Sequence, residues 1–448
     1  MKIFFQMLKR VAVSDPTHRE RIVFLVLVLL QVCSFADQGR AQAGGELFGL
    51  QMNAGTVTRQ PWPVVSFGSI RLWNSSTHWA DINTADGVYD WSVLDEWLAD
   101  AQLHNVDVLY TFGVTPIWAS SDPSDPNCAG GLGACDPPDD LNPDGSGPNQ
   151  HWKNFVTALV AHNQSSNAAH IKYWETWNEA YHTRGWNGTI AQMIRMAQDA
   201  RTIIKAADPS ATVLTPSVVV SDGGAWLDSY LSAGGGQYAD SIAIHGYVQT
   251  PNHAWAPEDF NKYLSLIQTI LAKNGQGNKP IWDTEASWGW ASRTGPTDPD
   301  MQAGYVARFY LLHWSDDVVR FYWYQWNSLY VGTLWIPSPH DKGGPGTVLK
   351  PGIAYGQMYA WVVGASLSSG CSNGGGNGTV WTCELSRPGG YQAEAVWNTS
   401  MICKQGKCRT SEYQVDPKYK QYRTLDGKTN PITKSRVPIG AKPILLEN

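Results

Sequence analysis

Eight short runs rich in β-branched, aromatic and aliphatic residues recur along the chain, and most are separated by stretches whose apolar residues repeat at three and four. The runs are LFGLQMNA, SIRLW, VDVLYTFG, IKYWETW, ATVLTPSV, DSIAIHGY, KPIWDTE and VVRFYWYQW. Between them lie Trp91, Leu94, Trp97, Leu98 and Ala101; Ile190, Met193, Ile194, Ala197 and Ile204; and Phe260, Tyr263, Leu264, Ile267 and Ile270, each set forming one face of a helix. Strands that alternate with helices pair in parallel, because a crossover helix returns the chain to the same end of the sheet. Near-continuous apolar strands are covered on both faces. Eight such units predict an α/β fold, a closed (β/α)8 TIM barrel over residues 44–365. An open doubly wound sheet is the alternative. It lacks a Gly-rich phosphate loop after any strand, and polar or acidic residues end several strands rather than one switch point.

Two segments depart from the repeat. GTVTRQPWPVVSF, between the first two strands, is too proline-broken for a full helix. SSDPSDPNCAGGLGACDPPDDLNPDGSGPN, after the third strand, is an insertion on the face where barrel enzymes keep their sites. Beyond Gly364 the chain turns Gly/Ser-rich and then carries short β-like runs. Residues 366–448 are expected to form a small β-sandwich-like accessory domain packed beside the barrel, too short to be stable alone without its cysteines.

The N-terminus places Lys9, Arg10, Arg19 and Arg21 before the apolar IVFLVLVLLQVCSFA and then Ala41-Gln42-Ala43. This is the pattern of a secretory signal peptide, residues 1–43, cleaved before Gly44; an uncleaved membrane anchor is the competing reading. Cleavage removes six basic and three acidic residues, taking the formal charge from -6 to -9. The product has no electrostatic footprint for nucleic acid and no membrane span, and its expected location is extracellular or periplasmic. Of the seven cysteines, Cys33 leaves with the signal, and six remain as close neighbours: Cys128 with Cys135, Cys371 with Cys383, Cys403 with Cys408. Three local disulfides fit export; a zinc site is the alternative, without a CxxC pair or nearby histidines. The 22 tryptophans exceed what one core needs and supply flat faces for sugar rings.

In IKYWETWNEA, period-two alternation sends Tyr173, Glu175, Trp177 and Glu179 to one face. Glu175 sits a layer deeper than Glu179 and needs a partner, for which Arg71 on the second strand is suited, since an unpaired buried carboxylate neutralises. Glu179 falls at the C-terminal end of the fourth strand, where barrel enzymes place reacting groups. Glu285 ends the seventh strand in the same way. Parallel strand ends bring both acids to one mouth, and two carboxylates about 5 Å apart specify double displacement at a glycosidic bond.

These residues resemble glycoside hydrolase clan A, retaining (β/α)8 enzymes with the acid/base after strand four and the nucleophile after strand seven. Asn178-Glu179 in WNEA resembles the Asn-Glu signature, Glu285 matches the strand-seven nucleophile, and Arg71, His245 and Tyr247 match positions on strands two and six. RLWNSSTHWADINTADGVYDWSVLDEW and VTPIWAS look most similar to family 39 and its relatives, which include β-xylosidases and endo-acting enzymes. The pattern departs at Ala180, where many members have proline. The resemblance implies Glu179 as acid/base, its carboxyl raised by an ionised Glu285, and Glu285 as nucleophile. It further implies Asn178 on the substrate 2-hydroxyl, Tyr247 aligning Glu285, His245 near the acid/base, and Trp326 as the indole floor under the reacting sugar. Trp79 and Trp118 are candidate sugar platforms.

The expectation is a secreted retaining hydrolase of a β-linked glycan, endo-acting, requiring no metal and no cofactor. An exo-acting, β-xylosidase-like enzyme and a non-catalytic carbohydrate-binding barrel are the alternatives, and transglycosylation differs from hydrolysis only in the acceptor.

Overall fold

The computed structural model describes residues 42–53, 61–248, 256–289, 295–328, 330–338, 345–374 and 378–448. Nearly all of the expected signal peptide lies outside these residues. Among the described residues, no helix is long and apolar enough to cross a membrane.

Eight parallel strands form one sheet: β1 (Phe48–Gln51), β2 (Ser69–Leu72), β3 (Asp107–Thr111), β4 (Tyr173–Glu175), β5 (Thr212–Leu214), β6 (Ile242–Ile244), β7 (Ile281–Ala286) and β8 (Phe321–Trp323). Their order is β5-β4-β3-β2-β1-β8-β7-β6. Parallel bridges Leu214 to Ser241 and Val218 to Ile244 join the two ends, so the sheet closes into the (β/α)8 barrel. In-register neighbours share a face: Leu109 pairs with Tyr173, and Ala243 with Trp282. Those side chains, with Leu214 and Tyr322, fill the barrel's lower layer as one apolar cluster. Arg320 caps it from below, its guanidinium carbon 4.2 Å from the Tyr173 ring centroid and one amino group 2.8 Å from Asp107.

The surrounding helices bury the faces that their periodicity marks. Helix Ser92–Leu103 buries Leu94, Leu98 and Ala101, and helix Phe260–Lys273 buries Phe260, Tyr263, Leu264, Ile267 and Ile270. Helix Ile190–Ala207 starts at a capping box in which Thr189 and Gln192 exchange side chain to backbone bonds of 3.1 and 2.9 Å. No helix occupies residues 61–68 between β1 and β2, as the prolines dictate.

After helix Lys350–Val362 the chain forms a six-stranded sheet in the order Ser366–Leu367, Val380–Arg387, Tyr391–Asn398, Ile444–Glu447, Gln421–Arg423, Thr429–Pro431. A two-stranded antiparallel sheet, Ser411–Gln414 with Arg436–Ile439, packs on it through Val396, Val415, Tyr419, Val437, Ile439, Ile444 and Leu446. Disulfides join Cys128 to Cys135, Cys371 to Cys383 and Cys403 to Cys408. The C-terminal sheet docks on the barrel through helix Pro299–Ser315. Gly304 lets Ala441 approach so closely that a Cβ there would lie 2.8 Å from the Ala441 carbonyl oxygen. Trp397 reaches from that sheet to the barrel: its indole N–H donates to Glu258 Oε1 at 2.7 Å, which also accepts from Arg308 Nε at 2.7 Å.

Arg308 is nearly enclosed, with 3% of its side chain exposed. Glu258→Ala strands that charge and is expected to destabilise the protein by about 3 kcal/mol. Urea unfolding followed by tryptophan fluorescence reads the change.

Candidate active site

The site begins with one buried cation. Arg71, which β2 points into the barrel, uses all five guanidinium hydrogens. Nε donates to Glu175 Oε2 at 2.8 Å; Nη1 to Gln51 Oε1 at 3.0 Å and Glu285 Oε2 at 2.8 Å; Nη2 to Glu175 Oε1 at 3.2 Å and Asn178 Oδ1 at 2.6 Å. Glu175 is fully enclosed and completes its shell with Thr111 Oγ1 at 2.9 Å and Thr284 Oγ1 at 3.2 Å. An arginine offers donors only, so Asn178 must present its oxygen to Arg71 and turn its NH2 elsewhere.

Simple strand alternation does not deliver Glu179 or Glu285. β4 ends at Glu175, and Trp177 turns outward among Trp152 and Trp186 in the helix layer. Glu179 follows in a turn with φ +48°, a left-handed conformation that costs a non-glycine residue about 1 kcal/mol or more. Its backbone N–H is held by Ser217 Oγ at 3.1 Å. In β7, Asp283 pairs with Phe321 but Ala286 pairs with Trp323, three steps against two. That extra residue is a bulge, which lets Thr284 and Glu285 both face the barrel axis. Asp283 faces outward, where His313 Nε2 meets it at 2.7 Å.

β6 brings the third group. His245 Nδ1 lies 3.0 Å from Glu179 Oε1, and the Tyr247 hydroxyl donates to Glu285 Oε1 at 2.9 Å. Gly246 stands between them because a Cβ there would lie 2.1 Å from Asp283 Oδ2. One oxygen of Glu179, one nitrogen of His245 and one oxygen of Glu285 lie within 4.8 Å of one another. Glu285 is the more enclosed carboxylate, 10% exposed against 23% for Glu179. The same three residues form one of three clusters of potential metal-ligating groups among the described residues, another of which, Asp125, Cys128, Cys135 and Asp136, includes a disulfide. Asp139, Asp140 and His151 form the third, where Asp140 already accepts backbone N–H groups of Gln150 and His151.

The electrostatics invert the expected assignment at rest. Burial pushes the Glu179 carboxyl up, but hydrogen bonds from His182 and His245 outweigh it and hold Glu179 below the ordinary glutamate value. Burial raises Glu285 above that value, despite the nearby charges of His245 and Arg71. Burial opposes charge on His245 too, yet the charge of Glu285 and the bond to Glu179 raise its imidazole above the usual histidine value. The shifts favour a carboxylate on Glu179 and a charged imidazole on His245, two coupled groups 3.0 Å apart.

Three aromatic expectations change. Trp79 is fully buried, packed on Trp152 and Phe155 with its N–H on Asn83, so it offers no platform. Trp326 is 1% exposed and stacks on Trp335 under the loop after β8, so its face is covered. Trp118 is half-buried, its N–H on the Asn83 carbonyl and its ring edge-on to His151, outside the carboxylate cluster. Besides Tyr247, Tyr324 lies within the field of the acids, its hydroxyl raised by burial and then by the charge of Glu285. Alternation continued from Tyr322 marks Tyr324, the residue after β8, as inward. His182, 3.2 Å from Glu179 Oε2, carries no such signal, being placed by a loop.

Residues 147–333 match the family model of the glycosyl hydrolase catalytic core. The fold is similar to a monomeric β-xylosidase from Caulobacter crescentus CB15, with 16% identity, a TM-score of 0.61 and coverage of 92% of this chain and 97% of that one. It is also similar to a GH39 enzyme from Xanthomonas axonopodis pv. citri, with 15% identity, a TM-score of 0.61 and coverage of 91% and 95%. A GH30 endoxylanase from Clostridium papyrosolvens C71 follows at 13% identity and a TM-score of 0.55, with coverage of 92% and 97%. At such identities the likeness is one of fold. Among curated proteins, none matches the chain by sequence.

Glu175→Ala removes two of the five acceptors around Arg71 and is expected to cost about 3–5 kcal/mol of stability. Its midpoint in a urea titration, against that of Glu175→Gln, measures the effect.

Proposed function

Because the chain carries a glycosyl hydrolase catalytic core on a (β/α)8 barrel, we propose that it is a retaining glycosidase that cleaves β-linked poly- or oligosaccharides by double displacement. The single observation that carries this reading is the spacing of Glu179 and Glu285, whose oxygens approach within 4.8 Å. Retaining enzymes hold their carboxyl groups about 5–5.5 Å apart, whereas inverting enzymes leave about 6.5–9.5 Å for a water.

Glu285, aligned by Arg71 Nη1 and the Tyr247 hydroxyl, attacks the anomeric carbon. Glu179 protonates the departing glycosidic oxygen as the carbon to oxygen bond breaks. The proton comes from the Glu179–His245 pair. The charge of Glu285 is the largest influence that holds the proton on His245, and that charge disappears as the glycosyl ester forms. His245 then loses its hold and the proton passes across the 3.0 Å contact to Glu179 and on to the leaving group. In the second half, Glu179 takes a proton from water, water attacks the ester, and Glu285 leaves as a carboxylate. The free NH2 of Asn178 suits the sugar 2-hydroxyl, and Tyr324 suits the floor of the subsite.

Internal cleavage is the expected mode, and export is supported by three disulfides. Mass spectrometry of products from plant and microbial polysaccharides checks the mode: a ladder of oligosaccharides is expected, and single sugar units throughout overturn it.

Glu285→Ala is expected to abolish turnover with the fold intact, and Glu179→Ala to slow substrates with poor leaving groups about 10²–10⁴-fold. Proton NMR of the first-formed product is expected to show the β anomer; an initial α product sinks the double displacement.

The acidic limb of kcat/KM reports ionisation of Glu285, which must lose its proton to attack, so activity falls on the acid side at a pH above the ordinary carboxylate range. Tyr247→Phe removes a donor that favours the carboxylate. Its acidic limb is expected at still higher pH in a kcat/KM profile.

A further inference from the structure

His182 belongs to no strand, yet it is one of two imidazoles on Glu179. Its Nε2 lies 3.2 Å from Glu179 Oε2, and its Nδ1 accepts the backbone N–H of Gly185 at 2.9 Å. A ring nitrogen that accepts a backbone N–H carries a lone pair, so the proton of the neutral ring resides on Nε2. His182 is thereby fixed as a donor to Glu179. His245 is not fixed. Its Nδ1 faces Glu179 Oε1, and its buried Nε2 has no hydrogen-bond partner among the described residues, standing 3.9 Å from Glu175 Oε1. His245 can give a proton to Glu179 or take one back.

The loop that carries His182 is braced from outside. The insertion after β3, closed by Cys128–Cys135, receives it through four hydrogen bonds: Ala129 N–H donates to the Arg184 carbonyl at 2.9 Å, Arg184 Nε to the Asn127 carbonyl at 3.3 Å, Asn187 N–H to the Cys135 carbonyl at 2.7 Å, and Asn187 Nδ2 to Asp136 Oδ1 at 2.9 Å. Gly185 has no space for a side chain, since a Cβ would lie 2.5 Å from the Glu179 carbonyl oxygen and 3.1 Å from the His182 ring. The ring is thus held against Glu179 by backbone geometry rather than by its own rotamer alone.

Resting on the acid/base reading of Glu179, we infer that His182 is a positioning residue for the second half-reaction: a fixed donor that holds Glu179 as an oriented carboxylate while it takes a proton from water. A donor that cannot reverse favours the anion, which opposes the acid step and serves the base step. The other groups facing Glu179 leave that part to the imidazoles. Tyr181 from the same loop, Tyr247 after β6, Tyr263 from helix Phe260–Lys273 and Tyr324 after β8 all have hydroxyls raised by burial and stay neutral. Glu285, from β7, is an ester during this half. His245 then lacks the charge that held its proton.

The test uses the 2,4-dinitrophenyl β-glycoside that the enzyme turns over fastest, whose leaving group needs no acid, so that deglycosylation limits kcat and a burst of dinitrophenol confirms it. In His182→Ala the acidic limb of kcat is expected to move to higher pH, lowering kcat about tenfold on the acid side while the plateau is kept, the loss of one charge-assisted hydrogen bond. His182→Gln, which returns an N–H donor, is expected to restore the limb. A uniform fall in kcat with the limb unmoved overturns the inference, as does a Gln variant that behaves like Ala. Glu179→Ala with azide separates the two readings. Rescue to a β-glycosyl azide supports the acid/base assignment, and with an unmoved limb only the His182 inference falls; absence of rescue overturns both.

Discussion

One guanidinium organises the barrel mouth. Arg71 is buried among two carboxylates and two amides, and each of its five hydrogens is used. Burying a cation is costly unless every donor is met, and the residues that meet these come from β1, β4, β7 and the turn after β4. The requirement is mutual: Gln51, Glu175, Asn178 and Glu285 are oriented by Arg71 as much as they satisfy it. A rotamer change in any of them leaves a charge unpaired in a dry interior. Preorganisation of this kind lets a site hold its geometry before substrate arrives.

Around that fixed centre, the two acids are placed by different means. Glu285 rides on a strand, re-aimed by a one-residue bulge, and is the more enclosed. Glu179 rides on a turn, in a strained backbone conformation, with its carboxylate between two rings. The placement suits the proposed roles: a nucleophile benefits from the stiffness of a strand, and an acid/base benefits from partners whose charge can change. In the proposed double displacement, attack by Glu285 and protonation by Glu179 are coupled through electrostatics, because the charge of Glu285 raises His245, the partner of Glu179.

Much of this architecture is legible in the chain itself. Eight apolar runs and their intervening faces specify a parallel barrel because strand period, helix period and crossover geometry agree. Glu175 reads as a partner of Arg71 because a carboxylate one layer below a strand end has nowhere else to go. The misreadings have local causes. Alternation carries Glu179 inward only if the strand continues, and it stops at Glu175. Trp79 and Trp326 have the composition of platforms but lie in covered positions, and residue type alone does not distinguish an exposed indole from an enclosed one. His182 was invisible because its position depends on a loop held by an insertion far away in sequence. The direction of the Glu179 shift depends on two imidazoles whose approach no spacing encodes.

The docking of the disulfide-closed insertion onto the loop after Glu179 gives the molecule two separable kinds of integrity. The barrel's closure rests on strand pairing and its apolar layer, while the loop that carries His182 beside Glu179 rests on a few hydrogen bonds to the insertion. Local opening of such contacts requires far less free energy than global unfolding. Working lifetime and melting temperature therefore report on different parts of this chain, and variation in the insertion can alter how long the enzyme stays active without changing how firmly it is folded.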